Sequence, residues 1–160
     1  GAVVGFFSNL YKDNPPVFVV VEAEAAACLY KGAAAGDGKP RIVDGDMQTI
    51  MAGLACGEPN TISWDILKNH VKMFVAAPDW VAAQGMRMLG APIKGDPAIT
   101  SGESGAAPFG ALSVLMTSDD CADVRKELGL DETANVLVFS TEGDTDPQRY
   151  KNIVWKGLDK

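Results

Sequence analysis

Pro16-Val17-Phe18-Val19-Val20-Val21-Glu22 is a continuous apolar run, β-branched at every inner position but Phe18, bounded by proline and an acid. Such a run suits a strand buried on both faces, as in a parallel sheet. Two further apolar runs, over 71–77 and 136–140, read as strands of the same kind, with a shorter one over 41–43. Between them the apolar spacing becomes helical. Helices are expected over 1–10, 23–31, 46–56, 64–70, 78–89, 104–116, 120–128 and 147–155, with a glycine- and alanine-rich surface loop over 32–40. Strands alternating with helices predict an α/β fold: three layers, a mainly parallel sheet with helices on both faces. Three main strands are few for such a sheet.

Several helix details follow from residue chemistry. In the 46–56 segment Met47, Ile50, Met51 and Leu54 share one face and read as helix core. In the 78–89 segment Val81, Met88 and Leu89 share a side, Asp79 lies in the first turn and Gly90 stands where a left-handed cap belongs. Pro108 falls near the first turn of its helix, Ser104 is a good N-cap and Gly129 closes the helix over 120–128. The first helix begins at Gly1 with no capping residue, so the sequence reads as starting inside a helix.

The 160 residues carry 14 Lys plus Arg against 21 Asp plus Glu, a net charge of −7, and 47% are hydrophobic. Acidic balance and the lack of a basic cluster argue against nucleic acid and membrane surfaces as partners. No apolar segment has membrane-spanning length, and the start lacks the features of a signal peptide. Three widely spaced cysteines, Cys28, Cys56 and Cys121, fit a reducing cytoplasm. Cys56 reads as an inert buried thiol.

Several reaction classes drop out. His70 is the single histidine, which removes histidine-rich metal sites and histidine-pair catalysis. Gly102-Glu103-Ser104-Gly105-Ala106 nearly matches a nucleophile elbow, but its last glycine is missing and His70 precedes the serine. No phosphate-binding glycine motif is present. The acidic trio Glu142, Asp144 and Asp146 lacks calcium-loop spacing and reads as a turn whose carboxylates favour the following helix.

Two loops remain. Ser140-Thr141-Glu142-Gly143 follows an expected strand, and ligands of open α/β sheets sit outside the carboxyl ends of strands. Ser101-Gly102-Glu103-Ser104-Gly105 combines two glycines, a carboxylate and a helix N-terminus whose free N–H groups favour anions. Each loop reads equally well as a capping motif or as part of a cleft.

The run Gly45-Asp46-Met47-Gln48-Thr49-Ile50-Met51-Ala52-Gly53-Leu54-Ala55-Cys56-Gly57-Glu58-Pro59-Asn60 resembles the signature of the diaminopropionate ammonia-lyase family. So do Gly85-Met86-Arg87, Ser101 to Gly105, and Ser140-Thr141-Glu142-Gly143-Asp144-Thr145-Asp146 with Tyr150 and Trp155. That family consists of pyridoxal-phosphate (PLP) enzymes of the tryptophan-synthase-β group, fold type II. The resemblance implies an enzyme that eliminates ammonia from 2,3-diaminopropionate, a small amino acid, to give pyruvate and a second ammonia. It also implies a homodimer.

By the same resemblance Ser140, with Thr141 beside it, would bond the pyridine nitrogen. Ala52, Gly53 and Leu54 would lie along the cofactor ring, and Glu103 near its 3-hydroxyl side. A hydroxyl partner need not keep the pyridine nitrogen protonated, which suits β-elimination. The family's Schiff-base lysine, catalytic carboxylates and glycine-rich phosphate loop belong to earlier parts of the enzyme. None of Lys12, Lys31, Lys39, Lys68, Lys72, Lys94, Lys126, Lys151, Lys156 or Lys160 matches the Schiff-base position. Residues 1–160 therefore correspond to a C-terminal part, the second half of the cofactor domain, with an N-terminal part of the same enzyme as partner and no catalytic residue in this segment. A threonine or serine dehydratase and a non-catalytic α/β binding module are the competing readings.

Overall fold

Strand β1 (Phe18–Ala23) and strand β2 (Val71–Ala77) pair in a parallel two-stranded sheet. Joining parallel strands requires a crossover, and the intervening chain supplies it with two helices. The computed structural model describes residues 1–159, so Lys160 lies outside the described residues. It divides into two units: residues 1–48 with 55–76, and residues 49–54 with the chain from 77 onward.

In the first unit β1 is not buried on both faces. Val19 is exposed and only Glu22 and Ala23 are fully covered, because the sheet holds two strands and covers β1 only towards its C-terminal end. The strand runs on to Ala23, so the helix expected over 23–31 is displaced. A 3-10 turn (Glu24–Ala26) precedes α2 (Cys28–Ala35). The expected loop begins at Gly36, whose φ of +69° ends the helix. Gly32 lies within α2 and packs closely on Trp64: a Cβ there would stand 2.8 Å from the indole.

Helix α1 (Ala2–Leu10) packs on α3 (Thr61–His70), burying Val4. The Asn60 side chain accepts from the Ser63 N–H at 2.9 Å and starts α3 three residues before its expected beginning. Trp64 and Leu67 fill the core, and the Trp64 indole donates to the Gly38 carbonyl at 2.9 Å. Residues 41–43 form no strand. Val43 N–H donates to the Gly57 carbonyl at 2.9 Å, the Ile42 carbonyl accepts from Lys31 Nζ at 2.9 Å, and Arg41 pairs with Asp37.

No helix forms over 46–56. Asp79 takes the hydroxyl of Thr49 and, at 3.1 Å, the N–H of Ile50, groups that a helix would engage otherwise. Only a 3-10 turn (Ala52–Leu54) remains. Ile50 and Met51 are buried, whereas Met47 and Leu54 are partly covered and the helix-core reading of that face fails.

The second unit centres on the crossing of α4 (Asp79–Gly90) with α5 (Glu103–Thr117). Glycines bring the two backbones together. A Cβ on Gly110 would meet the Val81 carbonyl at 2.0 Å, and one on Gly85 the Ala106 carbonyl at 2.5 Å. Val81 and Met86 are buried there, but Met88 is exposed. Gly90 is the last helical residue rather than a left-handed cap, and the Tyr150 ring approaches it. Pro108 lies inside α5, beyond the first turn.

A 3-10 turn (Asp119–Cys121) leads into α6 (Ala122–Leu128), which Gly129 closes with φ +67° as expected. Asp146 accepts from the Arg149 N–H at 3.0 Å and caps α7 (Pro147–Val154), whose Ile153 is fully buried against the unit. Residues 136–140 are not a strand, because a strand exists through its ladder and the described sheet stops at two. Leu137 is 68% exposed. Among the described residues, no helix is long and apolar enough to cross a membrane.

Candidate functional site

Of the site residues expected from sequence, the second unit brings Ser140, Gly53 and Glu103 to one polar cluster. Its hub is the start of α5. Ser101 is fully buried, and its Oγ lies 2.7 Å from that of the exposed Ser140. Ser104 does not cap α5; Gly102 holds that position without a side chain to offer. The Ser104 hydroxyl instead accepts from the Gly53 N–H at 2.9 Å, tying the Ala52–Leu54 turn to the helix. Thr141 is exposed beside Ser140.

Three of the N–H groups at the start of α5 are already taken. Glu142 occupies them: its Oε2 accepts from Ser104 N–H at 2.7 Å and Gly105 N–H at 3.2 Å, and its carbonyl from Gly102 N–H at 2.9 Å. A negative charge at a helix N-terminus is favourable, and here it comes from 38 residues along the chain. Glu103, 8% exposed, is thereby left to pair with Arg149, its Oε1 lying 3.3 Å from Nε.

The acidic trio therefore divides. Asp146 caps the following helix, as the turn reading anticipates, while Glu142 caps an earlier one. No group of three or more His, Cys, Asp or Glu side chains that could hold a metal exists among the described residues. His70 is exposed at the end of α3. The Gly85-Met86-Arg87 motif has structural roles: Gly85 permits the helix crossing, Met86 is core, and Arg87 donates to the Leu158 carbonyl at 3.2 Å.

A second polar cluster lies in the first unit. The Glu22 carboxylate accepts from Leu29 N–H at 2.9 Å and Tyr30 N–H at 2.7 Å at the start of α2. Burial nevertheless raises its pKa above the usual carboxylate value, outweighing those bonds. Burial, then the nearby Glu22 charge, pushes the Cys28 thiol up to about 11. Cys56 is exposed, not buried as its sequence context suggests, because no helix forms around it; its carbonyl accepts from Cys28 Sγ at 3.3 Å.

The sequence gives no direct sign of the roles of Glu142 and Asp79. The available signal for Glu142 is the glycine pair in Ser101-Gly102-Glu103-Ser104-Gly105. A Cβ on Gly102 would meet the Gly143 carbonyl at 2.4 Å, and one on Gly105 the Ser101 hydroxyl at 2.8 Å.

No family model matches the chain. It is 49% identical over 158 residues to the diaminopropionate ammonia-lyase of Salmonella typhimurium, covering 98% of this chain and 39% of that enzyme. Among solved structures, Escherichia coli diaminopropionate ammonia lyase in complex with D-serine superposes with a TM-score of 0.89 at 41% identity, over 99% of this chain and 39% of that one. The same enzyme in complex with an aminoacrylate-PLP azomethine reaction intermediate gives 0.87, again at 41% identity, 99% and 39%. A threonine deaminase from T.th., at 19% identity and a TM-score of 0.58 over 72% of this chain and 38% of that one, is a likeness of fold alone. By sequence and by backbone, the chain is similar to these diaminopropionate ammonia-lyases and spans about 39% of the length of the relatives it matches.

Proposed function

We propose that this chain is the C-terminal part, the second half of the cofactor domain, of a cytoplasmic, homodimeric, PLP-dependent ammonia-lyase acting on 2,3-diaminopropionate. The observation that carries this reading is the network joining Ser140, Ser101, Ser104 and Gly53, which brings together three elements assigned to the cofactor from sequence alone. The threonine or serine dehydratase reading has only a likeness of fold behind it.

The residues present fit a pyridine ring. A neutral pyridine nitrogen is purely an acceptor, so its partner must have a proton to donate. If the buried Ser101 hydroxyl donates to Ser140, the proton of the exposed Ser140 hydroxyl is left for a ligand. The Glu142 carboxylate is committed to backbone N–H groups, so the ring nitrogen would meet a hydroxyl rather than a carboxylate. Bound PLP supplies an electron sink for the pair released when Cα loses its proton. Ser140 would set the strength of that sink by bonding the nitrogen without protonating it. The Ala52–Leu54 turn would support the ring, and Glu103, oriented by Arg149, would face its 3-hydroxyl side.

The Schiff-base lysine, the catalytic carboxylates and the phosphate loop would come from the remaining part of the enzyme, so this chain alone would have no turnover. Pyruvate and ammonia release from 2,3-diaminopropionate, serine and threonine by the full-length enzyme tests the reading. Preference for diaminopropionate, with two ammonia per pyruvate, is the expected result. Preference for serine or threonine overturns it.

A further inference from the structure

Residues 136–140 lie outside the sheet, so no strand ladder locates Ser140. The strongest anchor nearby is Glu142, two residues on. Through its carbonyl and its carboxylate it holds the N–H groups of Gly102, Ser104 and Gly105, all at the first turn of α5, where the N-cap residue itself supplies no side-chain bond. The same turn carries Ser101, which faces Ser140, and Ser104, which holds Gly53. The fit is close: a Cβ on Gly102 would stand 2.7 Å from Glu142 Cγ, and one on Gly105 3.0 Å from its carbonyl oxygen. Any rotation of this turn relative to residues 140–143 would therefore part Ser101 from Ser140 and carry the 52–54 turn with it.

We propose that Glu142 is a positioning residue for the pyridine end of the cofactor: by capping α5 from a distant loop, it fixes the Ser140 hydroxyl against Ser101. The inference rests on the reading that Ser140 meets the pyridine nitrogen. It assigns Glu142 no contact with cofactor or substrate.

The test is a double-mutant cycle in the full-length PLP-loaded enzyme, reading PLP affinity and the visible absorption maximum for S140A, E142A, E142Q and S140A/E142A. S140A is expected to weaken PLP binding about tenfold and shift the absorption maximum, the scale of one lost hydrogen bond. E142A should do the same, and E142Q, whose amide oxygen still accepts, should recover to within about threefold of wild type. In the S140A background, E142A should change neither readout further. Multiplying effects, or an E142A enzyme that melts earlier with unchanged affinity and spectrum, would overturn the positioning role alone. An S140A enzyme with unchanged affinity and spectrum would overturn the assignment of Ser140, and this inference with it. Where E142A does not fold, E142Q and S140A/E142Q serve the same comparison.

Discussion

The hydroxyls of Ser101 and Ser140 lie 2.7 Å apart, one fully buried just before a helix and the other exposed in a segment without regular structure. Ser101→Ala should cost about 1 kcal/mol in urea unfolding, the net worth of one hydrogen bond, because Ser140 can turn to water. Ser101→Val should cost more, since Gly105 leaves little room: a Cβ there would already stand 2.8 Å from Ser101 Oγ.

Gly110→Ala should be more damaging. Its methyl would fall 2.0 Å from the Val81 carbonyl, which is backbone and gives way only if α4 and α5 separate. Overpacking of this kind costs about 1–3 kcal/mol or more. A thermal melt of the variant should show a clear drop in midpoint. An unchanged midpoint would refute the close crossing.

Asp79 holds Thr49 and Ile50 and so shapes the approach to the 52–54 turn. Asp79→Ala should release that segment, leave the partly buried Ile50 N–H without its acceptor and destabilise the protein by about 1–3 kcal/mol. Limited proteolysis should then cut within 48–56 faster than in wild type.

Cys28 should be slow to alkylate under reducing conditions. With its thiol pushed up to about 11, roughly one molecule in a thousand carries the thiolate at pH 8, and the side chain is buried. Peptide mass spectrometry after timed iodoacetamide treatment should show Cys56 modified well before Cys28. The linkage sign follows from the raised value. Between its ordinary pKa near 9 and about 11 the native thiol holds its proton more tightly than the unfolded one. Its stabilising contribution is complete below about pH 9 and is lost as pH rises through 11.

Glu22 has the same sign in a lower window, because burial raises its carboxyl pKa above the ordinary 4.5. Its contribution is greatest below that value and falls as pH rises through the folded pKa. Removing the group is a separate matter. Glu22→Ala would leave the N–H groups of Leu29 and Tyr30 without their acceptor, at a cost of about 1–3 kcal/mol. Chemical denaturation of the variant checks the cost, and wild-type stability followed as pH rises above the ordinary 4.5 checks the sign.

The sequence by itself determined the local elements whose signals are local. β2 spans the predicted 71–77, and Gly129 and Asp146 bound their helices as the capping rules require. The α/β class was legible in the same way, whereas the cofactor roles proposed for Ser140, Glu103 and the 52–54 turn came from the family resemblance and not from side-chain type or spacing. Tertiary structure decided the rest. The apolar spacing over 46–56 is helical, but Asp79 from a later helix takes the backbone and hydroxyl groups of Thr49 and Ile50. Residues 136–140 have strand composition, but a strand needs a neighbour and the described sheet has two strands. Ser104 looks like a cap, yet Glu142 supplies the capping charge and frees the Ser104 hydroxyl for Gly53. In each case the deciding partner is a hydrogen-bonding group, or a strand, distant in sequence. Periodicity and propensity carry no information about which distant group arrives.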